Sequence, residues 1–102
     1  MRVIIGGAGE VGRGVANALR QEKRSVALID PKPSAINESQ SIDGLLVTGS
    51  VLSRDSLLRA GISDAEIIVM ATNNDEINLL ACAFAKRVYS EQVGDRNAAG
   101  LT

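Results

Sequence analysis

The chain has 102 residues, a length that holds one domain with a single core and leaves no room for a second substrate-binding domain. Apolar residues make up 45% of it and aromatics only 2%, so the core must be built from Val, Ile, Leu and Ala. Eleven basic residues against twelve acidic ones, with no polybasic block, argue against nucleic acid or an anionic membrane surface as a direct partner. Nor is any apolar stretch near the roughly 18 residues that a membrane span requires. A single cysteine, Cys82, excludes an internal disulfide, and the lack of histidine excludes an ordinary structural zinc site. With no signal-peptide layout at Met1–Ile5, a cytoplasmic location is expected.

Four short apolar runs, Arg2–Gly6, Ser25–Asp30, Gly44–Thr48 and Glu66–Thr72, read as strands. Each is nearly continuous in aliphatic residues, the pattern of parallel strands buried on both faces. Between the first two, Val11, Val15, Ala18 and Leu19 share one helical face, with Arg13, Asn17, Arg20 and Gln21 outside it. Ser34–Ile42 predicts a weak, short helix and Ser53–Ala60 a second short one, with Gly61 placed to close it in a left-handed conformation. The last helix starts near Asp75, and Leu79–Ala85 is apolar around its whole circumference, which predicts burial against a second subunit. Cys82 reads as core filling. Beyond Val88 the periodicity is lost, so residues 1–88 are expected to form the domain and 89–102 a partly ordered or truncated tail. Strand and helix in regular alternation predict an α/β, Rossmann-like open parallel sheet of at least four strands, order 3-2-1-4, with helices on both faces.

The chemistry is concentrated in Gly7-Ala8-Gly9-Glu10-Val11-Gly12, a G-x-G-x-x-G between the first strand and the first helix. In a dinucleotide site Gly7 permits the tight turn, Gly9 lets a pyrophosphate approach the backbone, and Gly12 lets helix and strand pack closely. The helix N-terminus offers free N–H groups to the phosphates. About twenty residues on, Asp30 can accept hydrogen bonds from both ribose hydroxyls, or alternatively cap the turn into Pro31. Lys32 could receive a 2′-phosphate, which Asp30 would repel, so NAD(H) is favoured over NADP(H). Glu10, at the mouth of the turn, would oppose a third phosphate and so disfavours ATP. Ser50, Val51 and Leu52 are expected to border the adenine. Ala71, Thr72, Asn73 and Asn74 follow the fourth strand at the switch point of the sheet. There, Thr72 or Asn73 would cap the last helix, with Asp75 or Glu76 completing a capping box. No catalytic set emerges: there is no histidine, and the one tyrosine lies in the tail.

Gly7–Arg13, Leu28-Ile29-Asp30, Ala60–Ala65 and Asn74–Cys82 closely resemble the TrkA-type nucleotide-binding domains, the RCK/KTN domains that regulate potassium channels and transporters. The resemblance covers residues 1–88. It implies a regulatory, non-enzymatic domain that binds NAD(H), or ATP or ADP, and assembles into homodimers or rings on a membrane-embedded potassium transporter or channel subunit. Two departures stand out. Gly49 is followed by Ser50 where the family usually has Asp, and Lys32 stands where a second acidic residue is common. Family members usually continue into a fifth and sixth strand, and Tyr89–Thr102 reads as neither. The competing readings are the cofactor-binding part of an NAD-dependent oxidoreductase and an interaction module that has lost its ligand.

Overall fold

A computed structural model describes the backbone of residues 2–101 and the side chains through Gly94. Four parallel strands, β1 (Arg2–Gly6), β2 (Ser25–Asp30), β3 (Leu45–Thr48) and β4 (Ala65–Met70), form one sheet in the order β3-β2-β1-β4, as the alternation predicts. The helices are α1 (Glu10–Gln21), α2 (Pro33–Glu38), α3 (Arg54–Arg59) and α4 (Asp75–Leu101), with a 3-10 turn at Ile62–Asp64. Alternate residues of the inner strands serve opposite faces. Val3, Ile5, Val26 and Leu28 pack with Ala16 of α1 and with Ile36 and Ile42 around α2. Ile4, Ala27 and Ile29 pack with Leu57 of α3, Ile62, and Ala81, Ala85 and Val88 of α4. Double-sided burial holds for β1 and β2 and fails at the edges, where Leu45 is 38% and Ile67 45% exposed. Those strands have a neighbour on one side only.

Gly61 does take the left-handed conformation, with φ of 81°. Three other expectations are corrected. The inward face of α1 is Gly12, Val15, Ala16 and Leu19, while Val11 is 65% exposed and Ala18 lies in solvent. The cause is Gly12: a Cβ there would lie 1.8 Å from the Gly7 carbonyl oxygen, so the helix presses its glycine against the turn and rotates Val11 outward. Second, α2 ends at Glu38 rather than Ile42, where the buried Ser39 returns its hydroxyl to the Ala35 carbonyl at 2.9 Å and the chain turns. Third, the helix that starts at Asp75 runs on to Leu101, through the segment read as a partly ordered tail. Glu, Gln, Arg and Ala sustain a helix without an apolar stripe, and Glu91 is anchored by Arg54 of α3. The side chains of 95–102, the far part of the tail read as partly ordered or truncated, lie outside the described residues.

Along α4 the apolar circumference is used on one side only. Ala81, Ala85 and Val88 face the sheet, whereas Leu79 is 75% and Leu80 59% exposed. Cys82 is exposed as well and fills no core: it lies one residue round from Ala81, beside the open edge of β4.

Candidate functional site

Because the chain leaves β3 on one side of β1 and returns as β4 on the other, the connections after β1 and β4 diverge and leave a crevice at the strands' C-terminal ends. That crevice is a cleft of about 460 Å³. It gathers Gly7, Gly9 and Glu10 from the first connection, Asp30, Pro31 and Lys32 from the second, and Ala71, Thr72, Asn73 and Asn74 from the fourth. The others lie elsewhere. Ala8 is buried behind the cleft wall and Gly12 beneath it, and Val11 points away. Ser50, Val51 and Leu52 do not line the cleft. Val51 is buried among the α3 and α4 residues, and the Ser50 hydroxyl accepts from the Leu52 N–H at 3.0 Å, within its own turn.

Each glycine of the motif answers a different constraint. Gly7 has φ of 111°, and a side chain on it would meet the Ala71 backbone at 2.9 Å. Gly12 is the close contact already described. Gly9 has open space, with nothing within 4 Å of where a Cβ would stand. It is also the N-cap of α1, and supplies no capping side chain. The first intrahelical bond is Arg13 N–H to Gly9 C=O at 2.9 Å, so the N–H groups of the first turn reach the cleft without a side-chain acceptor. An anion fits such a terminus.

Asp30 caps the turn into Pro31, one of the two roles the sequence allows, and also ties that turn to the glycine motif. Its Oδ1 accepts from the Lys32 N–H at 2.8 Å, the turn into Pro31, and its Oδ2 accepts from the Ala8 N–H at 2.9 Å. The carboxylate is thereby locked in place at the cleft wall. Each oxygen keeps a lone pair for a further donor, such as a ribose hydroxyl.

At the far wall, Asn74 is the residue that caps α4: its Oδ1 accepts from the Ile77 N–H at 2.9 Å. Thr72 and Asn73 do not, and with Ile77 at the third helical position there is no capping box. Thr72 is instead held by Asn78, whose Oδ1 accepts from the Thr72 N–H at 3.1 Å while its Nδ2 donates to the Thr72 carbonyl at 3.1 Å.

Five further residues complete the lining and set its charge and shape: Arg13, Ser34, Ala35, Glu38 and Ile77. Arg13 Nη1 donates to the Ala8 carbonyl at 2.8 Å and pairs with Glu38 at 3.1 Å, joining α1 to α2 across the cleft. The helical face read from Val11, Val15, Ala18 and Leu19 puts Arg13 outside it; the signal that would have found it is its place one turn beyond Gly9, since helical side chains lean toward the N-terminus.

Residues 3–94 match the model of the TrkA-N domain. The chain belongs to that family. Among its relatives, the Trk system potassium uptake protein TrkA of Azorhizobium caulinodans is 35% identical over 91 residues, covering 88% of this chain and 20% of that protein. A TrkA homolog of Methanothermobacter thermautotrophicus is 38% identical over 91 residues, covering 88% of this chain and 42% of its own length. The chain therefore spans a minor part of these TrkA relatives. Among solved structures it is similar to the Kef CTD of Shewanella denitrificans in AMP-bound form, at TM-score 0.74 and 28% identity over 87% of this chain and 52% of that one. The TrkA-N fold thus accounts for the four-stranded order and the helices on both faces.

Proposed function

We propose that this TrkA-N domain is a regulatory, non-catalytic nucleotide-binding unit of a potassium uptake system, with NAD(H) as its ligand and ATP or ADP as the alternatives. The observation that carries the reading is the convergence of three features on one cleft: the open face of Gly9, the uncapped N-terminus of α1, and the fixed carboxylate of Asp30. Phosphates suit the first two and a ribose diol the third. The AMP-bound Kef CTD supports an adenine nucleotide in a related fold, and the names of the TrkA relatives support potassium uptake. Glu10, exposed at the first position of α1, favours a pyrophosphate shared along the helix end over a triphosphate. The cleft walls bring Thr72, Asn73 and Asn74 opposite Asp30, on the side where the second half of a dinucleotide would lie.

In this reading the domain works from the cytoplasmic side of the membrane, as a homodimer or ring on a transporter or channel subunit. Leu79 and Leu80 of α4 supply apolar surface for assembly. Regulation then follows from a difference in nucleotide affinity between two assembly states. The test is a thermal-shift titration with NAD, NADH, NADPH, ATP, ADP and AMP. A ligand that binds only the folded chain stabilises it by about 2.7 kcal/mol at a hundredfold excess over Kd. A rise led by NAD or NADH is expected. A rise with ATP or ADP alone would reverse the role given to Glu10, and no rise with any nucleotide would leave an interaction module.

A further inference from the structure

We propose that Arg13 is the phosphate-recognising cation of the cleft and that Glu38 holds it in reserve, so that nucleotide phosphate and Glu38 compete for one guanidinium. This rests on the nucleotide reading above and adds to it a residue and a sign.

Arg13 is the fourth residue of α1, and its side chain runs back toward the helix start. The guanidinium comes to rest against the Ala8 carbonyl, inside the turn that leads to Gly9. It is thus adjacent to the uncapped N–H groups that a phosphate would meet. Only Nη1 is engaged, with Ala8 and Glu38; Nε and Nη2 have no partner among the described residues. The planar fork can therefore add an oxyanion without first leaving Ala8.

Charge makes the cation necessary. The cleft is lined by Glu10, Asp30 and Glu38 against Arg13 and Lys32, one net negative charge before any phosphate arrives. While Glu38 pairs with Arg13, half of that positive charge is already spoken for. Glu38 is the last residue of α2, where the helix dipole offers a carboxylate nothing. Its one described polar partner is Arg13. The pair is half in solvent, with Glu38 65% exposed, so it is weak by itself. A phosphate offers the free Nε and Nη2 two oxygens and a larger charge, and competes with Glu38 for the one cation through the repulsion between the two anions.

A bridge that only ties α1 to α2 and a reserve that holds back a cation give different signs. Breaking the tie from either end would loosen the cleft and weaken binding. In the competition, loss of Arg13 weakens binding and loss of Glu38 strengthens it.

Calorimetric titration of the full chain with AMP and NAD, and with adenosine as the probe lacking phosphate, decides between them. For R13Q, AMP and NAD are expected to bind about tenfold more weakly, the loss of one charge-assisted hydrogen-bonded contact. For E38Q they bind about threefold more tightly. Adenosine affinity is the same in all three proteins. Weaker or unchanged AMP binding by E38Q would overturn the competition, as would an equal loss of AMP and adenosine in R13Q. E38Q removes only an exposed carboxylate, so its arm stands even where R13Q perturbs α1. Wild-type chain that binds none of the probes would sink the nucleotide reading itself. Wild-type binding with variants of like sign would sink the competition alone.

Discussion

The connection from β1 into α1 and the connection from β4 into α4 are neighbours, each leading from a parallel strand into a helix at the rim of one cleft. They treat the helix N-terminus in opposite ways. At α4, Asn74 accepts from Ile77 and the amide of Asn78 grips Thr72 from both sides, so the loop satisfies itself. At α1 the N-cap is Gly9, which accepts nothing through a side chain and leaves open space in front of it. A glycine at the helix start forgoes a few tenths of a kcal/mol of capping stabilisation, on the order of the difference between Gly and a capping side chain. Its retention beside a fully furnished neighbour marks the end of α1, and not that of α4, as the place where an outside acceptor belongs.

The largest way to break that contrast is to remove the geometry that creates it. In Gly12→Ala the new Cβ collides with the Gly7 carbonyl oxygen, 1.8 Å away, and neither atom belongs to a flexible side chain. A loss of about 3 kcal/mol or more is expected, at the top of the range for overpacking. Urea unfolding measures it, and a loss under about 1 kcal/mol would mean that helix and turn are not in close contact.

Gly9→Asp converts the α1 start into a copy of the α4 start. The backbone there, φ −77° and ψ −165°, admits any residue, and the Cβ meets nothing. The added carboxylate caps the helix, raising stability by a few tenths of a kcal/mol at most relative to Gly, roughly the Gly-to-Asp difference at an N-cap. It also occupies the N–H groups and repels phosphate, so AMP or NAD affinity falls by about tenfold or more, on the order of one charge-assisted contact. Stability and affinity moving together, in either direction, would contradict the division of labour between the two connections.

The reverse change is Asn74→Ala, which strips α4 of its cap. A cost of about 1 kcal/mol in urea unfolding is expected. An unchanged midpoint would show that Thr72 or Asn73 takes over the cap, as the sequence alone suggests.

That last alternative shows where sequence reading reached its limit. The four strands, their order and the turn of Gly7 to Gly12 follow from aliphatic runs and glycine spacing, which are local and strongly constrained by backbone sterics. The cap of α4 depends on one residue of helix phase: Thr72, Asn73 and Asn74 are chemically equivalent candidates, and only the start at Asp75 selects among them. The same holds for α1, where periodicity favours Val11 until the contact of Gly12 with Gly7 sets the rotation. The place of Asp30 at the cleft was legible because it is the last residue of an aliphatic strand. Arg13 and Glu38 were not, since their meeting depends on α1 and α2 lying side by side on one face. Cys82 misleads for the reason α4 does. An all-apolar helix on the last strand of this sheet has only one covered side, and Leu79, Leu80 and Cys82 fall on the others.

The smallest expected effect tests the far end of the capped helix. Glu91 of α4 is held below its ordinary carboxyl value, first by the hydrogen bond from Arg54 of α3, against some opposition from desolvation, and then by the charges of Arg54 and Arg87. A depressed carboxyl contributes stability that is present above its unfolded value and is lost as pH falls through the folded one. Because the pair is exposed, that contribution is slight and is screened by salt. Carboxyl NMR titration resolves it where unfolding does not. The Glu91 midpoint is expected to lie below that of an unstructured glutamate, to rise to the ordinary value in Arg54→Ala, and to move the same way in high salt. A Glu91 midpoint that ignores Arg54 would detach α4 from α3 beyond Val88, and the helix would then owe its extension to backbone propensity alone.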